Sequence, residues 1–353
     1  MNLRIKNIYS KLKAGKLNAI LISSPANISY LTGYPSRDSY FLISKKCNIY
    51  FTDSRYTQEA KKNLKHLSRI VTIDHAAFRT IAASCRHLLL KRIGFEERNT
   101  SYAEFSHISK ELKSHAKLLP VHGFVESARE IKTPDEIAKI KTATQITVKA
   151  LKYIAGLIKP GIREIEIAAE LERFIRYNGG HGSAFNIIVA SGPNSSYPHH
   201  ITSRRIIRNR EPVLIDLGTD YHGYKSDLTR VFFLGRINVL ARRIYDIILK
   251  ANNLAISAVK PGVPIKDIDA IARGYIAKYG YAEFFGHGLG HGIGLTVHEA
   301  PNISAKVNTC LQPGMVFTIE PAIYLPGKFG IRIEDTVLVN KKGREVLSGS
   351  LDK

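Results

Sequence analysis

Met315-Val316-Phe317-Thr318-Ile319-Glu320 is an apolar run that ends on a carboxylate, and Pro212-Val213-Leu214-Ile215-Asp216-Leu217-Gly218 is another. Short apolar runs of this kind, bounded by turn residues, read as buried strands. Each is followed by a second acid in similar surroundings. Asp227, eleven residues after Asp216, stands in Ser226-Asp227-Leu228-Thr229-Arg230 at the head of a further apolar strand. Glu334, fourteen residues after Glu320, stands in Ile331-Arg332-Ile333-Glu334-Asp335-Thr336-Val337. An acid in a buried strand is costly unless it is paired or holds a metal. Four acids facing one cavity would raise one another's pKa values. Their charge of −4 is balanced by two divalent cations. Solvent-facing strand ends would explain any one of these acids, but four together poorly.

Working outward, the two strand pairs fall in two halves of a faint internal repeat. Ile158-Lys159-Pro160-Gly161-Ile162 matches Val259-Lys260-Pro261-Gly262-Val263 at an offset of 101, and Gly179 meets Gly280 at the same offset. Each copy has a long helix, a Lys-Pro-Gly turn, a second helix ending at glycine, and then β-like segments. The first long helix opens at Thr133-Pro134-Asp135-Glu136, with proline in the first turn and acids complementing the dipole. Its apolar residues recur at helical spacing as far as Ile158. Chance similarity between helix–turn–helix sequences would give as much by itself, but here the acids repeat too.

Histidines gather in the same region. Phe285-Gly286-His287-Gly288-Leu289-Gly290-His291-Gly292-Ile293-Gly294 contains five glycines, which argue for extended backbone in close approach to something rather than for a helix. A phosphate-cradling loop would need the Lys-Ser/Thr ending that this stretch lacks. His298 follows the second copy much as His199 follows the first.

Residues 1–125 alternate short β-rich runs (Ala19–Ile22, Tyr40–Ile43, Ile49–Thr52, Ile70–Ile73 and Arg92–Phe95) with amphipathic stretches at 78–90 and 102–112. That pattern predicts a small α/β layer domain, a linker at 126–133 and a second domain at 134–353. Three scattered cysteines, Cys47, Cys85 and Cys310, argue for a reducing compartment, and a cytoplasmic protein is expected. No apolar run is long enough to span a membrane, and the basic N-terminus lacks a signal-peptide core. The net charge of +22 allows a nucleic-acid partner. The basic residues are dispersed along the chain, however, so the reading adopted is solvated surface, with no nucleic-acid or membrane partner.

These residues resemble those of the pita-bread metallopeptidases: methionine aminopeptidase, prolidase, aminopeptidase P and the related creatinase. Asp216, Asp227, His291, Glu320 and Glu334 stand at all five metal-ligand positions, in order, within similar flanking text such as Ser191-Gly192-Pro193-Asn194 and Gly314-Met315-Val316-Phe317-Thr318-Ile319-Glu320-Pro321. Asn27-Ile28-Ser29-Tyr30-Leu31-Thr32-Gly33 and Phe51-Thr52-Asp53-Ser54-Arg55-Tyr56 resemble the creatinase/prolidase N-terminal domain. The resemblance implies an α/β (α+β) protein, a small α/β N-terminal domain followed by a pita-bread domain with a pseudo-two-fold repeat. Ala322 and Thr296 depart from the residues it leads one to expect, a glycine and an acid, but neither is a ligand.

The activity so implied is an Xaa-Pro aminopeptidase, with Xaa-Pro dipeptidase (prolidase) as the alternative. Methionine aminopeptidase and a non-catalytic binding protein of the same fold stand further off. Asp216 would hold one cation, His291 and Glu320 the other, and Asp227 and Glu334 would bridge them. The oxygen-rich set suits Mn²⁺ first, with Co²⁺ or Zn²⁺ open. The expected nucleophile is a water between the ions that loses its proton near neutral pH. His199, His298 and Glu320 are the catalytic expectations, Glu320 as proton shuttle. His199, His287, His298 and Arg332 are the substrate contacts. The expected partners are peptides with proline second and a second copy of the chain, as a homodimer.

Overall fold

Alternating apolar runs and amphipathic stretches build a six-stranded sheet flanked by helices in the first part of the chain. The computed structural model describes residues 3–353, and the chain divides into two compact units, Met1–Arg129 and Glu130–Lys353. In the first unit α1 is Leu3–Ala14, β1 Ala19–Ile22, α2 Pro25–Thr32, β2 Ser39–Ser44, β3 Ile49–Thr52, α3 Ser54–Leu64, β4 Arg69–Thr72, α4 Ala77–His87, β5 Arg92–Glu96, α5 Tyr102–Leu112, β6 Lys117–Val121 and α6 Glu126–Arg129. The strand order is β4-β3-β2-β1-β5-β6. β1 runs antiparallel to β2 and parallel to β5; β3 and β4 are parallel, as are β5 and β6. The five expected strands are all present, within a residue or two of the expected bounds. α4 stops before the expected Leu90 because Leu89 takes a left-handed φ of 53°. α1 and β6 were not anticipated, although Ile5, Ile8 and Leu12 lie on one buried helical face.

The second unit begins α7 (Pro134–Ala155), α8 (Glu164–Tyr177), β7 (Gly182–Ser183), β8 (Ile188–Ser191), β9 (Pro212–Leu217), β10 (Thr219–Tyr221), β11 (Tyr224–Lys225) and β12 (Leu228–Phe233). It continues α9 (Val239–Ala258), α10 (Ile265–Lys278), β13 (Gly290–Gly292), β14 (Glu299–Ile303), β15 (Val316–Ile319), β16 (Ala322–Leu325), β17 (Phe329–Arg332), β18 (Asp335–Val339) and β19 (Arg344–Val346). The sheets run β12-β9-β8, β11-β10-β7, β14-β13-β15-β18-β19 and β16-β17. Thr133 and Glu136 form a reciprocal capping box at the start of α7, with Pro134 in its first turn. The helix ends at Ala155, three residues before the apolar pattern does.

The repeat is present in three dimensions. α8 and α10 are both 14 residues long and stand 101 residues apart. Arg163 bridges Ile206 as Pro264 bridges Cys310, and the amides of Gly161 and Gly262 donate to the carbonyls of Ile207 and Leu311. α7 and α8 pack on β8, β9 and β12 around Leu151, Leu171 and Ile215, whereas α9 and α10 pack on β15–β18 around Ile248, Ile268 and Phe317.

Where the strands cross most closely, glycine is required. A Cβ on Gly218 would lie 1.9 Å from the Ser226 carbonyl oxygen, and one on Gly290 would lie 2.0 Å from that of Thr318. Backbone cannot retreat as a flexible side chain can. Gly218→Ala is therefore expected to cost at least about 3 kcal/mol in chemical denaturation, and near-wild-type stability would refute the close approach. No helix among the described residues is long and apolar enough to cross a membrane.

Candidate active site

Antiparallel pairing brings the four acids to one place. In the first half Thr229 lies opposite Asp216 across β12 and β9, and Leu228 opposite Leu217, which sets Asp227 beside Gly218. In the second half Ile319 lies opposite Asp335 across β15 and β18. The next pair outward is Glu320 and Glu334. The halves are joined where the Glu334 amide donates to the Thr229 carbonyl at 3.2 Å and the Thr229 hydroxyl donates to Glu334 Oε2 at 2.7 Å. His291 is on β13, whose glycines allow close packing on β15.

Donor atoms of Asp227, His291 and Glu334 lie within 4.8 Å of one another. His291 Nε2 is 3.3 Å from Glu320 Oε1 and 3.6 Å from Asp227 Oδ2. Its Nδ1 faces the Gly292 carbonyl at 3.2 Å, which turns Nε2 toward the acids. Asp216 stands apart in one respect: its Oδ2 accepts from Arg332 Nη2 at 2.5 Å. Asp216 Oδ1, Asp227 Oδ1 and Glu334 Oε1 are buried and have no hydrogen-bond partner. Orphaned carboxylate oxygens of Asp227 and Glu334 beside one imidazole, with that of Asp216 on the same cavity wall, fit the donor set of a divalent cation with oxygen-rich ligation.

The electrostatics agree with that fit. Burial pushes Asp227 and Glu334 well above the carboxylate range; Glu334 and Asp216 add to the rise at Asp227, as Glu320 and Asp216 do at Glu334. Burial likewise pushes Glu320 up to about 7, against the pull of Arg332. His287 and His291 are lowered to about 4, chiefly by burial, so both are neutral near pH 7.

The acids form part of the wall of a cavity of about 1010 Å³ within the second unit. His199, His287, His298 and Arg332 line it as well. His199 and His298 are exposed, and the His298 ring lies 4.1 Å from that of His291. His287 Nε2 and Arg332 Nη1 both reach the Tyr324 hydroxyl, at 3.4 and 2.6 Å. All nine residues singled out from the sequence therefore border the same cavity.

Several supporting residues escaped the sequence reading. Thr318 donates to Glu320 Oε1 at 3.1 Å and accepts from the His291 amide at 3.1 Å. Thr229 bonds both Glu334 and Arg332. Each sits two residues from a candidate ligand, hence on the same strand face, and that period was the available signal. Tyr324 had none, because β16 is buried throughout.

Glu164, at the start of α8, is fully buried and holds the loop that carries His199. It accepts from the Ser191 amide and hydroxyl, the Asn194 side chain, the Ser203 amide and hydroxyl, and contacts His200 Nε2, all between 2.6 and 3.2 Å. Burial alone would raise its pKa, but the hydrogen bonds from Ser203, Ser191 and His200 outweigh it and hold the carboxyl below its usual range. In the second half Asp269 accepts from Arg273 and from the Leu289 amide, and Arg273 in turn donates to the carbonyls of Phe285 and His287. Glu164→Ala would strand several buried donors, and a loss of at least about 3 kcal/mol is expected in denaturant unfolding; a loss below 1 kcal/mol would contradict this.

Comparison with known proteins agrees with this geometry. Residues 138–341 match the model of metallopeptidase family M24, and residues 4–131 that of the creatinase/prolidase N-terminal domain. An Xaa-Pro dipeptidase of Pyrococcus horikoshii is 35% identical over 352 residues, covering 99% of this chain and 97% of its own. The structure of an Xaa-Pro dipeptidase from Bacillus anthracis superposes with a TM-score of 0.94 at 36% identity, covering 99% of this chain and 98% of that one. An X-Pro aminopeptidase from Thermotoga maritima gives a TM-score of 0.87 at 36% identity, with 98% and 97% covered.

Proposed function

The chain belongs to metallopeptidase family M24, and from that premise we propose that it is an Xaa-Pro dipeptidase, cleaving two-residue substrates whose second residue is proline. The observation that carries a metallopeptidase reading is the set of buried, partnerless carboxylate oxygens around His291. The choice of dipeptidase over the aminopeptidase expected from sequence rests on similarity to proteins named Xaa-Pro dipeptidase over essentially their whole length. The aminopeptidase of Thermotoga maritima keeps the other reading as the second.

Asp216, Asp227, His291, Glu320 and Glu334 would hold two divalent cations, Mn²⁺ first and Co²⁺ or Zn²⁺ next. Cations so held supply Lewis acidity, polarising a carbonyl and making water nucleophilic near neutral pH. Glu320, on the cavity wall beside His291, would take a proton and deliver it to the leaving nitrogen. His199 and His298, exposed on the cavity wall, would contact the scissile carbonyl. His287, Arg332 and Tyr324 form one hydrogen-bonded group that would position the substrate. An Xaa-Pro bond has no amide hydrogen, so the site must accept the ring without requiring a donor there. A homodimer is part of this reading, checked by light scattering.

The test is hydrolysis by metal-stripped protein resupplied with Mn²⁺, offered an Xaa-Pro dipeptide, an Xaa-Pro-Yaa tripeptide and a Met-Ala peptide. Metal-dependent cleavage of the dipeptide in preference to the tripeptide is expected. The reverse preference would make the enzyme an aminopeptidase P, and cleavage of Met-Ala alone would remove the proline-directed reading.

A further inference from the structure

The basic residues that look dispersed along the sequence are gathered by the topology of the first unit. That unit has 22 Lys and Arg against nine Asp and Glu, a net +13 of the chain's +22 in little more than a third of its length. Register fixes which residues share an end of the sheet. Ala19 pairs with Ser44 and Ile93, Ile49 with Arg69, and Arg92 with Lys117, so the starts of β1, β3, β4, β5 and β6 lie together with the β2–β3 turn. Lys45, Lys46, Arg69, Lys91, Arg92 and Lys117 are exposed there. α1, α3, α4 and α5 each lead into one of these strand starts, so their C-termini return to the same end. They and the residues just after them add exposed Lys13, Lys16, Lys61, Lys62, Lys65 and Lys113, with Lys110 in the last turn of α5. Among the described residues, the acid placed at this end is Glu111, which lies 3.8 Å from Arg79. Asp38, Asp53, Asp74, Glu96, Glu97 and Glu104 lie toward the opposite end, Glu59 is exposed midway along α3, and Glu126 in α6 accepts from Asn27.

Helix dipoles draw cations to C-termini, and this accounts for part of the segregation. Four C-termini amount to about −2 charges in all, against the thirteen cations just named. The face is therefore strongly positive after that compensation. Six strands at about 4.8 Å spacing make it roughly 24 Å wide. Duplex DNA carries one charge per about 1.7 Å, hence about 14 over that width, the same order as the cations. Lysines outnumber arginines eleven to two among those named, which suits point-charge contact with phosphates rather than bidentate reading of bases. A membrane fits less well, since Leu89 is the large exposed apolar residue at this end and nothing else would insert.

We propose that this end of the first unit's sheet binds the phosphate backbone of nucleic acid without sequence preference. The test uses the full chain and a fluorescein-labelled mixed-sequence duplex of about 20 base pairs, titrated by anisotropy from 50 to 200 mM salt. If about six phosphates are engaged, affinity should fall about 10³-fold over that range. The variant Lys45→Glu, Lys65→Glu, Lys91→Glu and Lys117→Glu changes ammonium groups that make no hydrogen bond or ion pair among the described residues, and it should weaken binding more than tenfold and flatten the salt slope. A control of equal charge change on the second unit, Lys266→Glu, Lys278→Glu, Lys328→Glu and Lys341→Glu, should bind within about twofold of wild type, with peptidase turnover verifying the fold of both. Equal losses in the two variants would reduce the effect to net charge. Absence of binding at 50 mM salt, or binding to phosphatidylserine vesicles but not to the duplex, would overturn the proposal.

Discussion

Asp227→Asn and Glu334→Gln are each expected to lower metal affinity and kcat/KM by at least about 100-fold, since even residues that merely support a metal ligand cost 10- to 100-fold when changed. Each carboxyl is buried, offers one oxygen without any protein partner, and stands within 4.8 Å of the His291 donor atom. The amide variants keep shape and volume while removing the charge, so loss of activity should not be accompanied by loss of fold. Relief of mutual repulsion among Asp216, Asp227, Glu320 and Glu334 should even make the metal-free variants more stable than the metal-free parent. The measurements are metal content after dialysis, dipeptide turnover with excess Mn²⁺, and denaturant midpoints. Wild-type-like turnover in either variant would remove it from the ligand set.

Removing metal should abolish turnover and give stability a distinctive pH dependence. Asp227, Glu320 and Glu334 have folded pKa values above their unfolded ones, so stability they contribute at low pH is lost as pH rises through the folded values. His287, His291 and His298 have lowered values, so their contribution is lost as pH falls below about 6.5. Between about pH 4 and 6.5 the two sets oppose each other. Above about 6.5 Glu320, pushed up to about 7, still holds its proton in the folded state, and such a group contributes a slope of about 1.4 kcal/mol per pH unit until that proton is lost. Metal-free protein should therefore lose stability as pH rises through about 7, where Glu320 gives up its proton, and Mn²⁺ should restore it with release of protons. Calorimetry in buffers of different ionisation enthalpy reads that release. A metal-free midpoint that is flat over this window, with no proton release on loading, would contradict the carboxylate cluster.

The acids were legible because an ionisable residue at the end of an apolar strand contradicts the burial that the strand itself implies. Asp216 and Glu320 each posed that contradiction, and the offset of 101 linked the two halves before any contact was known. Glycine spacing around His291 likewise carried its meaning locally, because a Cβ on Gly290 would lie 2.0 Å from the Thr318 carbonyl oxygen of the neighbouring strand. Dipeptide preference was not legible in this way: the ligand set is common to both readings, and full-length similarity moved the proposal toward the dipeptidase.

The sequence by itself determined the periodicities, the helix cap at Thr133, the five candidate metal donors and the pseudo-repeat, all of which rest on interactions between residues near in the chain or on repeated local pattern. Tertiary structure alone decided that Arg332 meets Asp216, 116 residues away, that Glu164 anchors the His199 loop, and that the lysines of six separate segments share one end of a sheet. Such pairings depend on strand order and register, and those are set by the sum of core packing rather than by any one segment.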